Sequence, residues 1–204
     1  MSKIIYYTLD CETSGLSTSQ HEVLDISIIR CFDKVQITKN IKAETPHTAS
    51  LDALAITKKS MSDLYLGDSK ENVVNSIDAF FEEDQSSPAF RCIVGHNIAF
   101  DRKFLHALWA KCGKSFPANL WIDTIPMVRA VAKSQGIVKP KVNLEAACDF
   151  FGIKKTATFH NAKMDARNTF FLWQKLTQEL KVDYIGNIKT IPHLSEEDYN
   201  LDEI

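Results

Sequence analysis

The stretch "IIYYTLDCETSGL", residues 4–16, decides how this chain is read. Its first half is apolar and rich in Ile and Tyr, which marks residues 3–9 as a buried strand. Its second half sets Asp10 and Glu12 one residue apart and then breaks into "TSGLSTSQH", a turn rich in hydroxyls and Gly. Side chains alternate across a strand, so the two carboxylates point to one face, with Cα atoms roughly 6.6–7 Å apart at ~3.3–3.4 Å per residue. Two like charges this close at a desolvated strand end raise a carboxyl pKa or demand a cation. Isolated Asp-x-Glu triplets are also common in solvated loops, so the case for a site depends on further acids.

Outward from that strand, "EVLDISIIRCFD" and "VQITKNIKAE" read as two more strands joined tightly through Asp33-Lys34, an antiparallel meander. A loop with Pro46 leads into short helical patterns over 50–65. Residues 70–83 place Val73, Val74, Ile77, Phe80 and Phe81 at helical spacing, an amphipathic helix. "FRCIVGHN" is a strand and turn, followed by the helix "IAFDRKFLHALWAKCG", stopped by Gly113. "LWIDTIPMV" reads as a short strand and turn. Residues 143–152 form a short helix with Asn143 as N-cap and Gly152 as its stop. "NAKMDARNTFFLWQKLTQELK" is the last long helix. Strands first, then strands alternating with helices, predict an α/β fold: a mixed sheet flanked by helices. Residues 1–181 make the domain, and 182–204 a flexible acidic tail ending "SEEDYNLDEI".

Two further acids stand where solvated acids are not expected. Asp101 shares a helical stripe with Leu105 and Leu108. In the first turn it complements the helix dipole with Asn97 as cap, yet that explains its type and not its apolar face. Asp165 lies on the stripe of Ala162, Ala166, Thr169, Phe170 and Trp173, with Lys163 and Arg167 directed elsewhere on the wheel. A buried ionised carboxylate is costly unless paired or bound to metal. His160 precedes that helix, with Asn161 as cap. It is read either as an exposed loop residue or as a general base beside the carboxylates. An oxygen-only set of acids suits Mg²⁺ or Mn²⁺ rather than zinc.

Composition narrows the partners. With 204 residues the chain suits one domain, and 45% hydrophobic with 25% charged residues is ordinary globular usage. The net charge of −2 argues against a long nucleic-acid footprint but leaves room for a short, cation-assisted contact with one strand end. Five cysteines without a CxxC pair read as reduced, buried thiols. No apolar run approaches the ~20 residues of a membrane span, and the N-terminus is not a secretory signal, so a cytoplasmic location is expected. Trp109, Trp121 and Trp173 read as core. Lys133, Lys139 and Lys141 around Gly136, with Lys154 and Lys155, are either a phosphate-guiding strip or a solvated face.

Three motifs in order, "DCETSGL", "HNIAFD" (96–101) and "HNAKMD" (160–165), resemble those of the DEDDh 3′-to-5′ exonucleases, over about residues 3–180. The resemblance implies a ribonuclease-H-like fold and two divalent ions, Mg²⁺ or Mn²⁺, held by Asp10, Glu12, Asp101 and Asp165. It makes His160 the general base. It also implies a nucleotide-binding set of Thr13, Ser14, Leu16 and Asn97, with Leu16 wedged against the terminal base. Asp123 matches a family feature that is not a metal ligand and is read as structural. One departure stands out: Leu54-Ala55 precede Ile56-Thr57 where many members carry His-Gly, which puts a polar substrate contact from that loop in doubt.

The expected activity is release of nucleoside monophosphates from 3′ ends of single-stranded or frayed DNA, with a proofreading role beside a separate polymerase as one setting. The alternatives are an RNA 3′ exonuclease of the oligoribonuclease or ribonuclease T type, and a non-catalytic module that binds nucleic acid or a polymerase. The oligomeric state is not specified by any motif.

Overall fold

A computed structural model describes residues 4–154 and 160–180. The acidic tail expected over 182–204 lies outside the described residues, as does Lys155. The elements are β1 (Ile5–Thr13), β2 (Val23–Arg30), β3 (Gln36–Asn40), α1 (Leu51–Thr57), α2 (Lys70–Glu82), β4 (Arg91–Gly95), α3 (Ile98–Lys111), β5 (Leu120–Asp123), α4 (Thr124–Ser134), α5 (Leu144–Phe150) and α6 (Ala162–Leu180). They form one five-stranded sheet in the order β3-β2-β1-β4-β5. β1 to β3 are the antiparallel meander read from the sequence, while β4 and β5 add in parallel beside β1.

The period-2 alternation of β1 splits the core. Tyr7, Leu9 and Cys11 face α2 and α3, packing with Val73, Ile77, Phe81, Leu105 and Trp109. Tyr6 faces the opposite layer, with Val94, Val128, Cys148, Phe170 and Trp173. By the same alternation Asp10 and Glu12 project to the face of Tyr6, the one that α6 covers.

Three differences from the sequence reading are informative. β1 does not stop near residue 9. Pairing with β2 continues through Asp10↔Ser27, Cys11↔Ile26 and Glu12↔Asp25, so both carboxylates sit inside a hydrogen-bonded strand. "TIPMV" opens a helix rather than a turn: Asp123 caps α4 by accepting from the Ile125 N–H at 2.9 Å, and Pro126 falls in the first turn, where no intrahelical donor is lost. Asn97 adopts a left-handed conformation, φ 64°, and makes no side-chain cap for α3. Arg167, off the Asp165 stripe on the helical wheel, is buried, and its Nε donates to Gln36 Oε1 on β3 at 2.9 Å. The remaining caps agree with the sequence: Asn143 accepts from the Ala146 N–H at 2.8 Å, and Gly152 (φ 63°) ends α5. None of the five cysteines, all of them among the described residues, is in a disulfide; four are buried and Cys112 is half-buried. Trp109 and Trp173 are fully buried, and Trp121 packs at the edge of the α3 layer. Among the described residues no helix is long and apolar enough to cross a membrane.

Candidate active site

The sheet delivers two acids, and the ladder fixes them. Asp10 is half-buried and Glu12 buried on β1. A register shift between Glu12 and Thr13 displaces the β1–β2 pairing directly after them, where Thr13 comes to lie opposite Val23. Irregularities of this kind re-aim a strand where it meets a site.

α6 brings the third acid. Its first turn carries Asp165, buried among apolar neighbours on the face predicted for it. Asp10, Glu12 and Asp165 each offer a carboxylate oxygen, all within 4.8 Å of one another. Asp165 is oriented by the His160 backbone N–H (2.8 Å to Oδ2), by its own N–H bonded to the Asn161 carbonyl (2.9 Å), and by a longer contact from Asn168 (3.4 Å).

Asp101 arrives from α3. It is buried in the first turn, and its Oδ1 accepts the Cys11 backbone N–H at 3.0 Å, tying the helix start to the strand between Asp10 and Glu12. The chain reaches it through a tight corner after β4. Gly95 lies against Ile98 so closely that any Cβ would overlap that side chain. His96 braces the corner: Nε2 donates to the Val142 carbonyl at 2.6 Å, which leaves Nδ1 to accept from the Thr124 hydroxyl at 2.8 Å. Burial lowers the His96 pKa, consistent with a neutral ring. Asp123 also accepts the Asn97 N–H at 3.1 Å, so the residue read as structural ties both loop ends together.

Four acids so placed repel one another. Asp10 is pushed well above the usual carboxylate range, first by burial and then by Asp101, Glu12 and Asp165. Burial, Asp165, Asp25 and Asp101 raise Glu12 to about 8, with Lys59 opposing. Asp101 rises to about 6 through burial, restrained by its hydrogen bonds from Cys11. Asp165 is raised by burial against the pull of the His160 N–H. The cluster stores unfavourable charge that a bound cation would relieve.

The remaining candidates surround the cluster. His160 is exposed at φ 64°, immediately ahead of α6, and Asn161 Oδ1 accepts from the Met164 N–H at 3.3 Å as its sequence position predicts. Leu16 is 84% exposed at the tip of the turn after β1. Thr13 and Ser14 are buried and hold that turn: the Thr13 hydroxyl donates to the Gly15 carbonyl at 2.7 Å, and Ser14 Oγ accepts the Glu22 N–H at 2.9 Å. Gly15 packs on the His21 ring with no room for a Cβ. Asn97 is exposed beside the Asp101 helix start. Lys133, Lys139 and Lys141 are exposed near Gly136.

Sequence reasoning passed over Asp25 and Lys59. Asp25 is buried on β2 opposite Glu12, and its Oδ2 meets Lys59 Nζ at 2.7 Å. The signal was there: Asp25 is the one charged residue in the mostly apolar run "VLDISII".

A sheet of this order with an acid cluster on its central strand is the frame of a nuclease-type hydrolase. The exonuclease family model (RNase_T) matches residues 8–172, and the chain belongs to that family. Among curated relatives, the PolC-type DNA polymerase III of Staphylococcus haemolyticus (strain JCSC1435) is 26% identical over 199 residues, covering 97% of this chain and 13% of the relative. The chain thus spans about one eighth of that relative's length. Among solved structures, E. coli exonuclease I in complex with a 5cy-dT13 oligonucleotide aligns with a TM-score of 0.72 at 17% identity, over 88% of this chain and 42% of that one. The zinc-bound form of an E. coli exonuclease I–single-stranded DNA complex aligns at 0.71 and 18%, over 87% and 41%. At such identities the likeness establishes the fold, the ribonuclease-H-like exonuclease arrangement expected from the three motifs.

Proposed function

We propose that this exonuclease-family chain removes nucleoside monophosphates from the 3′ ends of single-stranded or frayed DNA, by metal-assisted hydrolysis with His160 as general base. The observation that carries the reading is the convergence of Asp10, Glu12 and Asp165 within 4.8 Å, with Asp101 bonded to the strand between the first two.

The donor set fits hard divalent cations. It is made of carboxylate oxygens, and the adjacent thiol, Cys11, is buried with its pKa raised by burial and by Asp101 and Asp10. Asp10, Glu12, Asp101 and Asp165 would hold two ions, Mg²⁺ or Mn²⁺. When bound, such ions neutralise phosphodiester charge and ease deprotonation of water. The chain's own residues supply the rest. His160, exposed and fixed through its backbone to Asp165, accepts the proton of the attacking water. Leu16, projecting from the turn, packs against the terminal base, while the Thr13 backbone and Asn97 shape the seat of that nucleotide. The Ser14 hydroxyl serves the nucleotide seat by holding the turn, through the Glu22 N–H that it accepts.

The likeness to exonuclease I bound to single-stranded oligonucleotides supports an unpaired DNA substrate, and the PolC-type relatives support work beside a polymerase. The cytoplasm, and a catalytic unit of residues 1–181 followed by the acidic segment 182–204, complete the proposal. The test is a product ladder: 5′-labelled DNA and RNA oligonucleotides, single and double stranded, incubated with Mg²⁺. Stepwise shortening of single-stranded DNA from the 3′ end is expected. Preference for RNA would move the assignment to an RNA exonuclease, and no shortening of either would leave a non-catalytic binding module.

A further inference from the structure

The loop after α1 is where the chain departs from its family's pattern. Leu54, standing where a His is common, is buried with Leu24, Ala43 and Leu64 and offers a ligand nothing polar. Two cations follow a few residues later, and they behave differently. Lys58 is exposed in a left-handed conformation at the end of α1. Lys59 instead turns inward: its side chain is 17% exposed, and its ammonium meets Asp25 Oδ2 at 2.7 Å.

Asp25 is the ladder partner of Glu12. Its other oxygen, Oδ1, is buried and accepts no hydrogen bond from the described residues. A surface pair of this kind contributes little to stability, and a buried one often costs as much in desolvation as it returns. The pair does something else well. It fixes an ammonium beside the acid cluster, with two of its three N–H donors left for another acceptor. Lys59 lines a cleft of about 270 Å³ whose other walls include Lys58, Asn40, His160 and Asn161. The proposed general base and a fixed cation therefore line the same cleft.

We propose that Lys59 is a substrate-binding residue whose ammonium, held in place by Asp25, takes a phosphate oxygen of the single-stranded nucleic acid engaged at the carboxylate cluster. The proposal rests on the exonuclease reading. A polyanionic strand approaching five carboxylates needs fixed positive charge on the wall it passes. Pre-orientation by Asp25 reduces the side-chain entropy lost on contact. Lys59 thereby supplies from the end of the loop the polar contact that Leu54-Ala55 cannot.

The experiment measures fluorescence anisotropy of a 5′-labelled single-stranded oligonucleotide, with Ca²⁺ replacing Mg²⁺ to suppress turnover, across a salt series. Wild type, Lys59→Arg, Lys59→Ala and the double variant Lys59→Ala/Asp25→Asn are compared after thermal melts confirm folding. Loss of one phosphate contact weakens binding about tenfold in Lys59→Ala and flattens the plot of log affinity against log salt by about 0.7. Lys59→Arg keeps the wild-type slope. The double variant, which removes the unpaired carboxylate, remains as flat as Lys59→Ala. A wild-type slope in Lys59→Ala, or recovery of slope and affinity in the double variant, overturns the contact and leaves the exonuclease reading intact. Wild-type protein that neither binds nor shortens single strands overturns both.

Discussion

The backbone N–H of His160 donates to Oδ2 of Asp165, 2.8 Å away and five residues further along the chain. The bond is made by the backbone, so the imidazole stays exposed while its Cα is fixed relative to the carboxylate cluster. Removing the ring should leave that tie in place. His160→Ala should therefore lower kcat by about a hundredfold or more, the usual contribution of a general base, with little change in oligonucleotide affinity. Steady-state kinetics on a single-stranded substrate separate the two parameters. An unchanged kcat would remove His160 from the reaction.

Replacing a cluster acid should have opposite effects on activity and on fold. Asp10 is raised by burial and by three neighbouring carboxylates, so its charge works against the metal-free fold. Asp10→Asn should abolish hydrolysis while raising the melting temperature of the chelated protein by a few degrees, the shift expected from about 1 kcal/mol in a chain of this size. Most substitutions of buried residues destabilise. A lower melting point in EDTA would show that Asp10 is stabilising and not held under repulsion.

The same repulsion gives a pH dependence whose sign is fixed. Glu12 at about 8 and Asp101 at about 6 lie above the ordinary values of 4.5 and 3.8. Between those limits the folded chain binds more protons than the unfolded one, so stability falls as pH rises, by up to ~1.4 kcal/mol per pH unit for each group titrating. Below about pH 4 both states are protonated and the contribution levels off. Melts in EDTA should therefore show a falling Tm from pH 5 to pH 8, and excess Mg²⁺ should flatten the trend. A Tm that rises across that window without metal would contradict the charge account.

Leu16 tests the nucleotide seat without touching the fold. At 84% exposure it has almost no packing to lose. Leu16→Ala should leave the unfolding free energy within about 0.5 kcal/mol of wild type, as surface changes do, while raising KM several-fold for a single-stranded end. Denaturant melts and kinetics on the same preparation check both halves. An unaltered KM would free Leu16 from the wedge assigned to it.

Much of this architecture was legible because local patterns and tertiary demands agree. Val73, Val74, Ile77, Phe80 and Phe81 declare α2 by spacing alone, and all five are buried on it. Asp101 and Asp165 were readable as charges on apolar stripes, and both stand buried at the first turns of α3 and α6. What escaped was set by partners distant in sequence. The length of β1 depends on its ladder with β2, invisible to a window ending at Leu9. "TIPMV" read as a turn because a helix start there, with Pro126 in the first turn, depends on Asp123 serving as the cap. Asn97 has the side chain of a cap, yet the corner at Gly95 turns its backbone left-handed. Arg167 stands off the Asp165 stripe on an isolated wheel, and the edge strand carrying Gln36 explains its burial. The Asp25–Lys59 pair joins residues 34 positions apart and belongs to the same class of contact.

The central claim is hydrolysis at the 3′ terminus of a strand by the carboxylate cluster with His160. The most direct measurement uses a single-stranded DNA oligonucleotide labelled in its last nucleotide, started with Mg²⁺ and stopped within the first turnover. The account predicts that label appears as a nucleoside 5′-monophosphate before any internal fragment forms, that EDTA stops its release, and that restored Mg²⁺ restarts it. Label released first as an oligonucleotide, or released at the same rate in EDTA, would contradict it.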